Sequence, residues 1–331
     1  MQLRERIAAL RIQMATSSID AYIVPSTDPH QSEYPPQRWK SRGWISGFNG
    51  SAGTVVVTAE RAGLWTDSRY FLIAEKALAG SPVELFRMDE PGVPTYEEWL
   101  GAELPQDSVV AFDSMCMSLS TARSVEQALK THSIHVKAGG DLFEAIWADR
   151  PDLPLKPICA HDDRFAGKSR GEKLSAIREK MESLGVTHHL ISTLDDIAWL
   201  LNIRGSDVEY SPVAVAHFIL SLQSAELFIA SAQVPDDLKH HLELDGVVIR
   251  PYEEMSAAVA SIPEGATALV SPLQISVGFT DALNPGVKAV QRPNLTTGAK
   301  ARKNAVELEH LRAAMVRDGV AMVRFLHWVT T

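Results

Sequence analysis

Apolar residues at Leu3, Ile7, Leu10 and Met14 recur every three or four positions, so the stretch from Leu3 to Met14 is predicted to be a helix docked by one face. AYIVP, from Ala21 to Pro25, is a short buried strand ended by proline, and the turn-rich STDPHQSEYPPQR that follows is a loop. GTVVVTAERAGLWTDSRYF reads as two strands joined by a charged turn, a hairpin. SRYFLIAEKALAG then returns to helical spacing and stops at glycine.

The same order comes back further along. Trp44 of WISGFNGSAG stands six residues before the pair Gly50-Ser51, and Trp199 of WLLNIRGSDV stands six residues before Gly205-Ser206. The helix LRERIAALRIQM and strand AYIVPSTD are matched by KLSAIREKMESLG and HLISTLDD, and GLWTDS by ELFIAS. The offset is 167 at the first strand, 155 at the tryptophan and 163 at the last strand, so loop lengths differ while order is kept. Solenoid repeats run at roughly 20–50 residues, and a period this long means a duplicated domain. Strands alternating with helices in both repeats predict a mixed sheet flanked by helices.

Ala148 to Asp163 contains three prolines and is predicted to be the linker between the repeats. NLTTGAKARKN, from Asn294 to Asn304, is predicted to be a second linker. Beyond it, Leu308, Leu311, Met315, Met322, Phe325 and Val329 fall on one face of a helix that has no counterpart in either repeat. That face requires a partner, and the chain stops just after Trp328 with no room for one to follow.

A length of 331 residues predicts two or three domains, and 45 % hydrophobic residues is ordinary for cores of that size. The net charge of -9 argues against a nucleic-acid backbone as partner. No apolar run approaches the roughly 20 residues of a membrane helix, and the N-terminus has no secretory pattern, which leaves the cytoplasm as the expected compartment. The two cysteines, Cys116 and Cys159, have no neighbour at metal or redox spacing.

Candidate chemistry is sparse. Gly47, Gly50 and Gly53 resemble a phosphate-binding loop but lead into the β-rich TVVV, so a tight turn entering a strand is favoured. His188-His189 and His240-His241, near Asp195 and Asp196, could suggest a metal; adjacent residues on a strand face opposite ways, so one buried and one exposed histidine is the better reading. His161 to Asp163 read as solvated or as a helix cap. No H-E-x-x-H or G-x-S-x-G pattern occurs. WTDSRYF and RGSDVEY each place an acid, an arginine and an aromatic at the end of an apolar segment, an arrangement suited to a charged or planar group or to pinning a loop.

AYIVPSTDPHQSEY, SGFNGSAGTVVVT, LWTDSRYFLIAEKAL, IWADRP, LDDIAWLLNIRGSDVEYSPV and KNAVELEHLRAAMVRDGVAMVRFLHW together resemble, in order, the cytosolic three-domain Xaa-Pro aminopeptidases, or aminopeptidases P. The resemblance implies an α/β fold of two creatinase N-terminal-type domains in tandem, 1–155 and 156–297, followed over 298–331 by the first helix of a catalytic pita-bread domain. In that family two divalent ions, commonly manganese, are held by two aspartates, a histidine and two glutamates, and bound hydroxide attacks the peptide bond before proline. Those ligands belong to segments past Thr331, so this chain is expected to bind no metal, to hold no catalytic residue and to be inactive alone. Its implied partners are its own C-terminal catalytic domain, a second subunit in a homodimer and peptides with proline at the second position. The implied role is dimerisation and a wall limiting access to the active site, with Asp67, Arg69, Arg204 and Asp207 as candidate access residues. The alternative is a stand-alone peptide- or small-molecule-binding module of the same superfamily.

Overall fold

The computed structural model describes residues 2–331. The opening helix, Leu3–Thr16, buries Ile7, Leu10 and Met14 as its spacing requires. It lies on a six-stranded sheet built from Ala21–Val24 (β1), Thr54–Thr58 (β2), Ala62–Thr66 (β3), Glu84–Arg87 (β4), Val109–Asp113 (β5) and His135–Gly139 (β6). Their order is β4-β3-β2-β1-β5-β6, antiparallel across β1, β2 and β3 and parallel on both flanks. Val55, Val56 and Val57 of β2 are all fully buried, because helices cover both faces of the sheet and successive side chains need apolar cover on either side.

The second repeat rebuilds this sheet. After a short strand Cys159–Ala160 (β7) come His188–Ile191 (β8), Ile203–Arg204 (β9), Ala216–Ser221 (β10), Ala225–Ile229 (β11), Val247–Arg250 (β12), Thr267–Val270 (β13) and Lys288–Gln291 (β14). The order β12-β11-β10-β8-β13-β14 repeats the first sheet strand for strand, with the same pairing directions. β1 and β8 begin 167 residues apart and β3 and β11 begin 163 apart, the offsets read in the sequence. The prolines from Pro151 to Pro157 keep the connection irregular, and it rejoins regular structure where β7 pairs with β9. Both cysteines are free.

The repeats meet through equivalent surfaces. Ser118 and Ser276, each preceding the helix after its repeat's fifth strand, bridge one another, and Leu119 N donates to Ile275 O while Val277 N donates to Met117 O. One apolar core runs through this junction, joining Trp65, Trp99 and Phe112 to Phe228, Met255 and Phe279. Each sheet keeps a separate core on its far face.

Four polar side chains from both repeats, all but Tyr252 buried, close a ring at the junction. His30 Nδ1 lies 2.9 Å from the Ser192 carbonyl, which can only accept, so this nitrogen carries the proton. His30 Nε2 then accepts from Tyr252 Oη at 3.0 Å, Tyr252 Oη accepts from His217 Nε2 at 3.1 Å, and His217 Nδ1 accepts from Ser192 Oγ at 3.0 Å. With both imidazoles neutral, every proton has one place to go. The rings stack at 4.3 Å, and burial pulls both histidines below their usual pKa, His217 most strongly.

Two expectations need correction. Asn294 to Asn304 is not a linker: Leu295–Ala301 is a helix whose Thr297 hydroxyl donates to Asp196 at 2.7 Å and whose Lys300 pairs with Asp195 and, at 2.8 Å, with Asp196. His240 and His241 stand on the helix Asp236–Leu244, not on a strand, and both are exposed. His188 and His189 do follow the strand alternation, half-buried and fully buried respectively. The helix Ala305–Thr330 opens with a reciprocal cap between Asn304 and Glu307 and has no buried residue; Leu311 is 48 % exposed, Met315 61 % and Trp328 75 %.

Candidate functional site

The repeated tryptophans are held by cations from the opening helix of each repeat. Arg6 lies over the Trp44 ring at 4.7 Å and donates to the Trp44 carbonyl at 2.5 Å. Lys173, 167 positions later, lies over Trp199 at 4.6 Å and donates to the Trp199 carbonyl at 2.8 Å and to Asn202 Oδ1 at 2.6 Å. The tryptophan is thus a clamp joining two helices of its own domain.

The glycines that follow are required by close approach. A Cβ on Gly50 would come within 2.7 Å of the Tyr70 ring, and one on Gly205 within 2.8 Å of the Val213 carbonyl. Gly47 ends the helix Ser41–Ser46 in the left-handed region at φ 76°, and Gly53 leads into β2 at φ 154°, so this segment is a turn entering a strand.

Downstream of these glycines the two repeats share one cavity of about 780 Å³. The first repeat contributes Gly50, Ser51 and Tyr70, and the second contributes Val208, Glu209 and Tyr210. Tyr70 Oη and Ser51 Oγ are 2.7 Å apart, a bond that lowers the Tyr70 pKa. Arg69 covers the Tyr70 ring at 5.2 Å and is fixed by Asp67 through two bonds of 2.9 and 2.8 Å, which hold the Asp67 carboxyl below its usual pKa. In the wall, Arg42 is only 7 % exposed, donates to Phe48 O at 3.3 Å and to Gly50 O, and keeps an unpartnered Nε. Burial brings its guanidinium down to about 10. Aromatic faces, a buried cation and hydroxyls can hold a planar or anionic group.

The four residues singled out in the sequence divide between two situations. Asp67 and Arg69 form an exposed pair beside the cavity. Arg204 and Asp207 do not pair with each other: Arg204 donates to the Ala198 and Ile203 carbonyls, while Asp207 accepts from Val215 N and Gln233 Nε2, both at 2.8 Å. Burial raises the Asp207 pKa. Sequence reading missed Arg42 and the ring of His30, Ser192, His217 and Tyr252, because nothing in their local sequence sets them apart from surface residues. Among the described residues, no three His, Cys, Asp or Glu side chains come together in a way that could hold a metal ion, so the dinuclear site of the resembling family does not fit here. Among them, too, no helix is long and apolar enough to cross a membrane.

Comparison with known proteins agrees with this geometry. Residues 6–146 and 149–307 each match a Creatinase/Prolidase N-terminal domain family. Aminopeptidase P2 of Arabidopsis thaliana is 36 % identical over 94 % of this chain, and a probable Xaa-Pro aminopeptidase P of Neosartorya fischeri is 39 % identical over 98 %. The chain spans 48 % and 51 % of their respective lengths. Among solved structures, the X-prolyl aminopeptidase of Caenorhabditis elegans, described as a cytosolic enzyme with a di-nuclear active site, superposes with a TM-score of 0.92 at 30 % identity, over 99 % of this chain and 56 % of that one.

Proposed function

Because the chain belongs to the aminopeptidase P family and carries two creatinase/prolidase N-terminal domains in tandem, we propose that it is the non-catalytic N-terminal region of a metallo-aminopeptidase that removes the residue preceding proline. Domain I spans 1–155 and domain II 156–297, and 298–331 begin the catalytic domain, which supplies two divalent ions, manganese in this reading. The whole enzyme is a cytoplasmic homodimer acting on peptides with proline at the second position. Within it this region supports the catalytic domain and forms the wall that limits access. Asp67 and Arg69 present charge at that wall, whereas Arg204 and Asp207 hold the Val208 to Tyr210 segment in position.

What supports the reading is the shared cavity: the loops after both tryptophan clamps contribute to one lining. Turnover of a prolyl peptide such as Arg-Pro-Pro with manganese tests it. The chain alone is expected to release no arginine, and proline-specific release would overturn the proposal.

A further inference from the structure

The charges around the cavity shared by the two repeats differ from those elsewhere in the first repeat. Arg38, Arg61, Arg69 and Arg87 each pair with a carboxylate. Among the described residues that line the cavity, Glu33, Lys40, Arg42 and Glu209 are charged, and none of the four forms an ion pair. The lining therefore holds two charges of each sign with no counter-ion.

Arg42 is the costliest of them. It is only 7 % exposed, and its hydrogen bonds go to the neutral carbonyls of Phe48 and Gly50. A cation withdrawn from water gains far more from a nearby anion than a solvated one does. Lys40, two positions earlier and half-buried, adds a second positive charge to the same lining. On the acidic side, Glu33 is close enough to Arg69 to act on it, which leaves the exposed Glu209 of the second repeat as the unanswered carboxylate. The same lining presents aromatic surface to solvent: Tyr34 is 60 % exposed and Tyr210 98 %.

We propose that this cavity binds a short peptide with both termini free, its ammonium at Glu209, its carboxylate at Lys40 in the field of Arg42, and its apolar rings on the exposed tyrosines. A volume of about 780 Å³ is within the range of small-ligand sites. Tyrosine faces accept the ring of proline, and the opposite charges fix the direction of the peptide. Resting on the reading of this region as an access wall, the site adds length selection to it. Charges fixed on the two repeats are satisfied together only by a peptide of matching span, and each further residue adds about 3.3 Å.

Calorimetric titration of the 331-residue chain, without metal, with triproline, N-acetyl-triproline, triproline amide and hexaproline tests this. Triproline is expected to bind one to one and at least about tenfold more tightly than either blocked form or hexaproline. Glu209→Gln is expected to reduce the preference for the free over the acetylated N-terminus by about threefold or more, and Lys40→Gln to do the same for the free acid over the amide. Neither side chain belongs to the core, so circular dichroism of both variants is expected to match the wild type. Absence of triproline binding, equal binding of the blocked forms, or folded variants that keep both preferences in full would overturn the proposal. Because no turnover is measured, those outcomes strike the peptide site alone, and the non-catalytic reading stands or falls separately by the Arg-Pro-Pro assay.

Discussion

Trp44 and Trp199 stand out in the sequence by their common distance to a Gly-Ser pair, and the structure gives each a cation from a helix earlier in its repeat, 38 and 26 residues away respectively. That partner was not legible, because Arg6 and Lys173 sit in helices rich in alternating charge, where sequence does not say which charge turns inward. Lys173 is 3 % exposed and, with burial as the main cause, titrates at about 8 rather than 10.5. Lys173→Met keeps the apolar stem but strips the Trp199 carbonyl and Asn202 Oδ1 of their shared donor. A loss of about 1–3 kcal/mol in chemical denaturation is expected, and an unchanged midpoint would mean the clamp carries no stability. The candidate access residues show the same limit: acid and arginine lie close in sequence in both motifs, yet only Asp67 and Arg69 bond to each other, because the second-repeat loop turns Arg204 and Asp207 toward separate backbone partners.

At the scale of elements, strand and helix periods identified the opening helix, the two hairpins and the repetition of the elements in chain order, since these are set by local apolar spacing. The helix Leu295–Ala301 was hidden by its Thr-Thr-Gly start and its basic end, both poor in apolar residues; it is held by polar contacts to Asp195 and Asp196 instead. The helix Ala305–Thr330 was visible from its apolar face, and that face is exposed. Its contacts with the rest of the chain lie near its start, where Trp199 Nε1 donates to Glu307 at 3.3 Å, Asn304 Nδ2 donates to Ala166 O at 2.8 Å and His310 packs on Phe165. Amide hydrogen exchange in dilute solution is therefore expected to show protection through about His310 and rapid exchange beyond it, since an unpacked helix is marginal in water. Uniform strong protection to Thr330 in a monomer would contradict this description.

Across the whole molecule, the two repeats are locked by a polar ring inside a shared apolar core, and no sequence pattern announced it because its members come from four separate segments. Its two histidines, together with His189 outside it, set a pH dependence. His189, fully buried against Asn294, is held at about 4 chiefly by desolvation, and His30 and His217 are displaced in the same direction. A folded pKa below the unfolded value near 6.5 means that the unfolded chain takes up protons first as the pH falls. Stability is therefore complete above about pH 6.5 and declines toward pH 4, His189 alone accounting for about 3 kcal/mol at the lower end. Urea midpoints measured between about pH 7 and about pH 4.5 should fall, and a flat profile would show that these imidazoles are not held neutral. The fold class and its duplication were thus readable from spacing, while the surfaces joining the repeats required tertiary structure. The claim that this paired scaffold serves an active centre it does not contain is tested most directly by Arg-Pro-Pro turnover with manganese. The assay compares this chain alone, the C-terminal half of the Arabidopsis thaliana relative alone, and the two mixed. No turnover by the chain is expected, and faster turnover by the mixture than by the catalytic half; turnover by the chain alone, or a mixture no faster than the catalytic half, would show that the scaffold does not serve that centre.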